Sequence, residues 1–478
     1  MSALAPHQTY SDLEVDPRNF VEGQPDVHPQ ISHSVDPREE KIVQYEHRTE
    51  LQPDGHALNH GGLWKGQIRK RRCGLSPFKF WTVVVLLSVI AVGAIVGAVV
   101  ATKQQRGNHG RPVPSNSTGS LAASQLETIR QRYNVPGLAA GHIAANNLSS
   151  TAVGVRKQGN SQLLKSGDVF HLGACTATIT AMLAAKFVDE GHLSWNTTLP
   201  EIYGSAAVHA MHQNTTIGML SSSTAGIYST ESAAAFEAWW DDFRDESADP
   251  VMLRASFTSE VLARPPNTVP GTVYNFSTPG YMALASILER KTNRTWEDLT
   301  SELFSSMQMD GCGFGVQPES SRSAVENPWP HTASSSGPVP QIPDGLHGDN
   351  PSALWPALGV HCTLPSFARY LQIHLDGYHG RPTPILSRRS FDVLQSTWPV
   401  VLGHSPTYGG WSYDAVSANG TELYISGTNT MNYAWGWLLL EQDEAFLSFT
   451  NVGSEVGRSA SAAALYSLAG YSDPPHGV

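Results

Sequence analysis

The chain has 478 residues and a formal net charge of -11, long enough for one large domain or two ordinary ones with additional segments. The acidity is mild and the single basic block, Lys65 to Arg72, is short, which argues against a nucleic-acid partner. Four cysteines, Cys73, Cys175, Cys312 and Cys362, are too few for a disulfide-built scaffold and too scattered for a CxxC metal site; no metal and no cofactor are expected.

Residues 1–64 are rich in Pro, His, Asp and Gln and carry the tetrapeptide VDPR twice, at Val15 to Arg18 and Val35 to Arg38. A segment this polar cannot bury enough surface to fold alone and reads as a cytosolic tail. Residues 65–79 form a basic juxtamembrane stretch, in which Cys73 is either a palmitoylation site or a plain thiol. From Phe80 to Thr102 the chain is apolar, without charge or proline, for 23 residues. As a helix this run would extend roughly 34 Å, enough to cross a bilayer core of about 30 Å. Lys65, Arg69, Lys70, Arg71, Arg72 and Lys79 precede it, against Lys103 and Arg106 after it, which predicts a cytosolic N-terminus and a type II anchor. All seven Asn-x-Ser/Thr sequons, at Asn116, Asn147, Asn196, Asn214, Asn275, Asn293 and Asn419, lie beyond the span, in keeping with a lumenal or extracellular C-terminal domain.

Residues 103–119 form a polar Pro/Gly/Ser stalk, and a folded domain is expected over 120–470. Ser124 and Glu127 suggest a capping box for a first helix, with Leu126, Ile129 and Tyr133 on one face. Two strands follow, LAAGHIA and STAVGV, punctuated by Asn146 and Asn147. From Ala174 an almost wholly apolar stretch ends at Gly191, the pattern of a buried helix with a glycine after its last turn. Residues 196–349 are expected to be mostly helical, with helices through Trp239 and Trp240 and through Tyr281 to Arg290, and a long loop over 315–357. Ser366 to Leu375 reads as a helix with Phe367, Leu371 and His374 on one face, Tyr433 to Leu440 and Ala445 to Thr450 as an antiparallel pair, and Arg458 to Ala469 as a closing helix. Segments 120–195 and 350–470 make the α/β part. Cys312 and Cys362 either pair as a disulfide or remain free thiols.

Five phrases stand in order: NVPGLAAGHIA, FHLGACTATITAMLAAKFVDEGHLSWNTTL, TIGMLSSSTAGI, VPGTVYNFSTPGYMALASILERKTNRTWEDL and LGVHCTLPSFARYLQIHLDG. In sequence and spacing they resemble the serine β-lactamase-related family of class C β-lactamases, penicillin-binding carboxypeptidases, esterases and transacylases. The resemblance implies an α+β fold of β-lactamase/transpeptidase type: an antiparallel sheet flanked by helices, with a mostly helical subdomain. It also implies where catalysis would sit. The family places a Ser at the N-terminus of a buried helix and a Lys three residues on, so that both share a face. Here those positions hold Ala174 and Ala177. The family's Tyr-x-Asn reads Phe276-Ser277-Thr278, and its Lys/His-Thr/Ser-Gly strand reads Ile425-Ser426-Gly427. In TIGMLSSSTAGI, Ser223 and Ala225 stand where a His and a Ser are usual. The backbone N–H groups of Ala174 and Thr428 remain as an oxyanion hole, which needs no side chain.

The expectation is therefore a pseudoenzyme that binds a small-molecule or protein ligand in a cleft lined by Ala174, Cys175, Phe276, Ser277, Ser426, Gly427 and Thr428. The rival is an esterase, amidase or acyltransferase with a substitute nucleophile, Cys175 or Ser277. Cys175 is rotated about 100° from the Ser position and has Thr178, not Lys, three residues on. His171 reads as a packed or surface histidine. The SxxK match at Ser76 to Lys79 is accidental.

Overall fold

The computed structural model describes residues 122–471, apart from 228–239, 246, 319, 322–323, 344–347, 400–404 and 418–419. The tail, the apolar run from Phe80 to Thr102, the stalk, and the sequons at Asn116 and Asn419 lie outside the described residues. Among those described, no helix is long and apolar enough to cross a membrane.

Strands β1 (Gly137–Ala144) and β2 (Asn147–Gly154) form a hairpin whose two turn residues, Ala145 and Asn146, both have positive φ (48° and 62°). That is the type I′ geometry matching the twist of adjacent strands, and Asn is among the few residues that enter it cheaply. The short strands β3 (Val169–His171), β4 (Cys312–Phe314) and β9 (Val360–Thr363) make a separate antiparallel sheet in the order β3-β9-β4. Between its last two lie the two-residue strands β5 (Ser320–Ser321) with β6 (Ala324–Val325), and β7 (His331–Thr332) with β8 (Val339–Pro340). Strands β10 (Ser405–Pro406), β11 (Ser412–Ser417), β12 (Gly420–Thr428), β13 (Tyr433–Leu439) and β14 (Glu444–Thr450) complete a seven-stranded antiparallel sheet in the order β10-β11-β12-β13-β14-β1-β2.

Helix α1 (Ala123–Arg132) starts earlier than its sequence suggested. Gln125, not Glu127, turns its side-chain oxygen back to accept from Ala122 N–H (3.2 Å), and Ser124 lies inside the helix, its carbonyl accepting from Thr128 Oγ1. Helix α2 (Thr176–Asp189) is buried along nearly its whole length. Its end is a Schellman motif: Gly191, at φ 77°, donates to Val188 O, and His192 donates to Phe187 O. Then come α3 (Leu199–Tyr203), α4 (Ile217–Ser221), α5 (Trp240–Arg244), α6 (Pro250–Ala263), α7 (Thr278–Thr292) and α8 (Trp296–Met307), which form the helical lobe. Helix α9 (Trp355–Leu358), α10 (Leu364–Tyr378), α11 (Arg388–Leu394) and α12 (Ser454–Leu468) return to the sheet.

The sheet is buried on both faces, and period-two alternation sorts its residues. Tyr433, Trp435 and Trp437 of β13 join a core with α1 and α12, whereas Ala434 and Leu438 join the core of α2, α7 and α10. Gly436 falls on the second face, where a Cβ would lie 3.2 Å from Phe367 and Leu371. The expected helix face Phe367, Leu371 and His374 is indeed buried.

Two expectations need correction. The described residues of 310–349 are not helical: they hold β4 to β8. Nor is 315–357 a bare loop, because its described backbone pairs in short ribbons and through long-range bonds such as His331 N–H to Met431 O (3.1 Å).

Cys312 and Cys362 face each other across β4 and β9 and are joined in a disulfide, closing a loop of 50 residues around this segment. Replacing both by Ser is expected to cost about 4 kcal/mol of stability through the freer unfolded chain, read as a lower denaturant midpoint. An unchanged midpoint would show that the neighbouring packing alone holds the segment.

Candidate functional site

The site is built where the turn that begins α2 meets the end of β12. Gly173–Cys175 form a tight 3₁₀ turn leading into the helix. Gly173 has φ 53°, and a Cβ there would come 2.4 to 2.6 Å from the backbone of Thr428. A Cβ on Gly427 would come 2.5 Å from both Ala174 N and Cys175 N. Turn and strand therefore touch backbone to backbone, and only glycine permits it.

His171 holds the turn from behind. Its Nδ1 accepts from Gly173 N–H (3.0 Å), which fixes the proton on Nε2, aimed at the Asp349 carboxylate (3.1 Å). Asp349 also accepts from Asn429 Nδ2 (2.9 Å), and Asn429 Oδ1 accepts from Met431 N, Asn432 N and Asn432 Nδ2. A continuous polar chain thus links the helix turn, the long connection and the β12–β13 turn. Beside it, His361 pairs with His171 across β3 and β9 and hydrogen-bonds Gly315 O through Nδ1 (2.9 Å). Burial holds His361 down at about 4, so it stays neutral near pH 7.

Of the positions singled out in the sequence, Ala174 is half-buried at the turn and Ala177, one helical turn on, is fully buried in the apolar core. Cys175 points away from the turn's exposed side. It is fully buried, its Sγ directed at the carbonyls of Ala434 (3.7 Å) and Ile425 (3.9 Å), and burial pushes its thiol far above the usual range. A thiol held protonated in the core is a poor nucleophile. Ser277 caps α7: it is buried and its Oγ accepts from Gly280 N–H (2.9 Å). Thr278 is the first residue of that helix. Phe276 is half-buried, with its ring 5.9 Å from that of Tyr281. Ile425 is buried, Ser426 Oγ accepts from Tyr433 OH (3.1 Å), and Thr428 Oγ1 donates to Asn432 O (2.6 Å). Ser223 takes φ 55° just after α4, and its carbonyl accepts from Asn275 N–H (3.0 Å).

No motif pointed to Asp349, Asn429 or His361. One signal was available: a buried His171 needs a partner for each ring nitrogen. Of the sequons, Asn147, Asn196, Asn214 and Asn293 are exposed and Asn275 is half-buried. Among the described residues, no cluster of His, Cys, Asp or Glu could hold a metal ion.

A buried helix opening on a tight turn beneath a sheet strand, with a helical lobe alongside, defines a fold of the β-lactamase/transpeptidase type. Residues 122–470 match the Beta-lactamase family, and the chain belongs to it. The relative penicillin-binding protein 4 of Amycolatopsis lactamdurans is 27% identical over 183 residues, which are 38% of this chain and 45% of that protein; the chain spans less than half of that relative's length. Among solved structures, the octameric penicillin-binding protein homologue from Pyrococcus abyssi superposes with a TM-score of 0.60 at 18% identity, covering 74% of this chain and 79% of that one. The β-lactamase/D-alanine carboxypeptidase from Pseudomonas syringae gives a TM-score of 0.55 at 15% identity over 73% and 99%. At such identities these likenesses concern the fold.

Proposed function

We propose that this protein is a non-catalytic member of its family, a pseudoenzyme on a type II membrane anchor whose old cleft serves binding. The observation that carries the reading is the state of the site itself. Methyl groups stand at Ala174 and Ala177, a phenyl ring at Phe276 and an alkyl chain at Ile425, while the glycine-mediated contact of turn and strand remains. Loss of a nucleophile alone costs about a million-fold in rate, or roughly 8 kcal/mol of transition-state stabilisation, and no backbone amide replaces it. Both substitute nucleophiles are otherwise engaged, Cys175 in the core and Ser277 as a helix cap. What remains suits a carbonyl or carboxylate resting on backbone N–H groups.

The test is turnover. Full-length protein in detergent is expected to give no labelling by a fluorophosphonate or a thiol-directed activity probe, and no hydrolysis of a chromogenic ester or cephalosporin. Hydrolysis that disappears in Cys175→Ala or Ser277→Ala would overturn the reading in favour of an enzyme. The topology has its own test: glycosidase should lower the apparent mass, and protease outside sealed cells or vesicles should reach the large domain. An unglycosylated, protected product would refute the anchor.

A further inference from the structure

Among the described residues the large sheet ends on β10 and on β2, and the two edges are finished differently. Strand β10 is two residues long and holds Pro406, an edge that offers no second strand a ladder. Strand β2 is eight residues long, carries no charge and no proline, and keeps an unshifted register with β1. Native sheets rarely leave such an edge unprotected.

The hairpin fixes which groups face outward. With a two-residue turn, Ala144 and Asn147 form the closing hydrogen-bonded pair, so Asn147, Ser149, Thr151 and Val153 direct their N–H and C=O groups to β1. Leu148, Ser150, Ala152 and Gly154 direct theirs away. Gly154 O accepts from Leu164 N–H (3.0 Å), while the outward groups of Leu148, Ser150 and Ala152 take no backbone partner among the described residues. That row is self-complementary. A second copy laid antiparallel about a two-fold axis through Ser150 would set Ser150 against itself and Leu148 against Ala152, with paired backbone hydrogen bonds at each place and no like charges opposed.

The head of the strand carries the obstacle to that pairing. Asn147 is exposed and begins the sequon Asn147-Leu148-Ser149. In the pairing about Ser150 it would lie opposite Val153 of the second copy, on the same face of the sheet. Val153 packs into the core that α1 shares with the sheet, so a glycan on Asn147 would run into the second copy's α1. The other exposed sequons, Asn196, Asn214 and Asn293, lie between helices.

Resting on the lumenal or extracellular placement of this domain, we infer that Asn147 carries an N-linked glycan that guards the β2 edge and holds apart two copies whose sheets would otherwise join.

The experiment uses full-length protein from glycosylating cells, solubilised in detergent, with glycopeptide mapping and light scattering. Asn147 is expected to be occupied. Removing the sequon by Ser149→Ala or by Asn147→Gln should double the protein mass per particle relative to the glycosylated protein, a comparison in which self-association of the anchor cancels. Adding Ser150→Lys to Ser149→Ala sets like charges against each other on the two-fold axis and should restore the original mass, which misfolded protein would not do. Asn196→Gln should leave the mass of the protein part unchanged. Sugar on Asn196, Asn214 or Asn293 with none on Asn147 would overturn the guard and leave the topology standing, whereas no sugar at any sequon would overturn the topology and the guard with it. Unchanged mass in both sequon variants, or a doubled mass that survives Ser150→Lys, would also overturn the assignment.

Discussion

Acidification from pH 7 to pH 5 is expected to unfold most of the described domain. Burial holds His374 at about 3 and His212, His331 and His361 at about 4. In the unfolded chain each would titrate near 6.5. The folded values are depressed, so the unfolded chain takes up protons first: stability is complete above about pH 6.5 and falls as the pH drops toward the folded values. At pH 5 each histidine withholds about 2 kcal/mol, together about 8 kcal/mol, comparable to the whole stability of a typical domain. His374 is among the most deeply enclosed. Its ring is enclosed edge-on by Tyr370, Phe391 and Trp411, and its Nε2 has no hydrogen-bond partner among the described residues. Circular dichroism and tryptophan fluorescence against pH should show the transition, and His374→Phe, which keeps the ring and removes the proton site, should move it to lower pH. Equal stability at pH 7 and pH 5 would mean that these rings accept protons in the folded state.

Removal of the Arg254 guanidinium is expected to have the next largest effect. Arg254 is fully buried in α6 and donates to Glu289 of α7, to Glu297 of α8 and to Ser352 O in the connection before α9. Glu289 in turn accepts from Trp296 N–H (3.0 Å). Arg254→Leu would leave Glu289 buried and unpaired, at a cost of about 4 kcal/mol, measured as a fall in the urea midpoint. Adding Glu289→Gln should recover part of it by removing the stranded charge. If Arg254→Leu melts with the unaltered protein, the cluster is solvated and its apparent burial has no energetic weight.

The periodic elements were legible in the sequence because burial imposes period on them. The hairpin at Asn146, the buried helix ending at Gly191 and the β13–β14 pair each carry a local signal, in turn chemistry or in an unbroken apolar run. The start of α1 was misread because Ser124 and Gln125 can both serve a helix start, and the choice depends on where Leu126 finds its core. The long connection carried no period at all, since its order comes from contacts distant in sequence, His331 with Met431 and Asp349 with Asn429. For the same reason the motif positions could be located from the sequence, but not the polar chain behind them.

The two glycines that let β12 lie on the turn before α2 set a limit on how this domain can change. Gly173 and Gly427 contribute no functional group, yet any methyl at either place would wedge the strand off the helix start. A residue whose side chain points away from this contact can be exchanged without moving the main chain, whereas these two cannot. The place in this architecture least open to change is therefore one that carries no side chain at all.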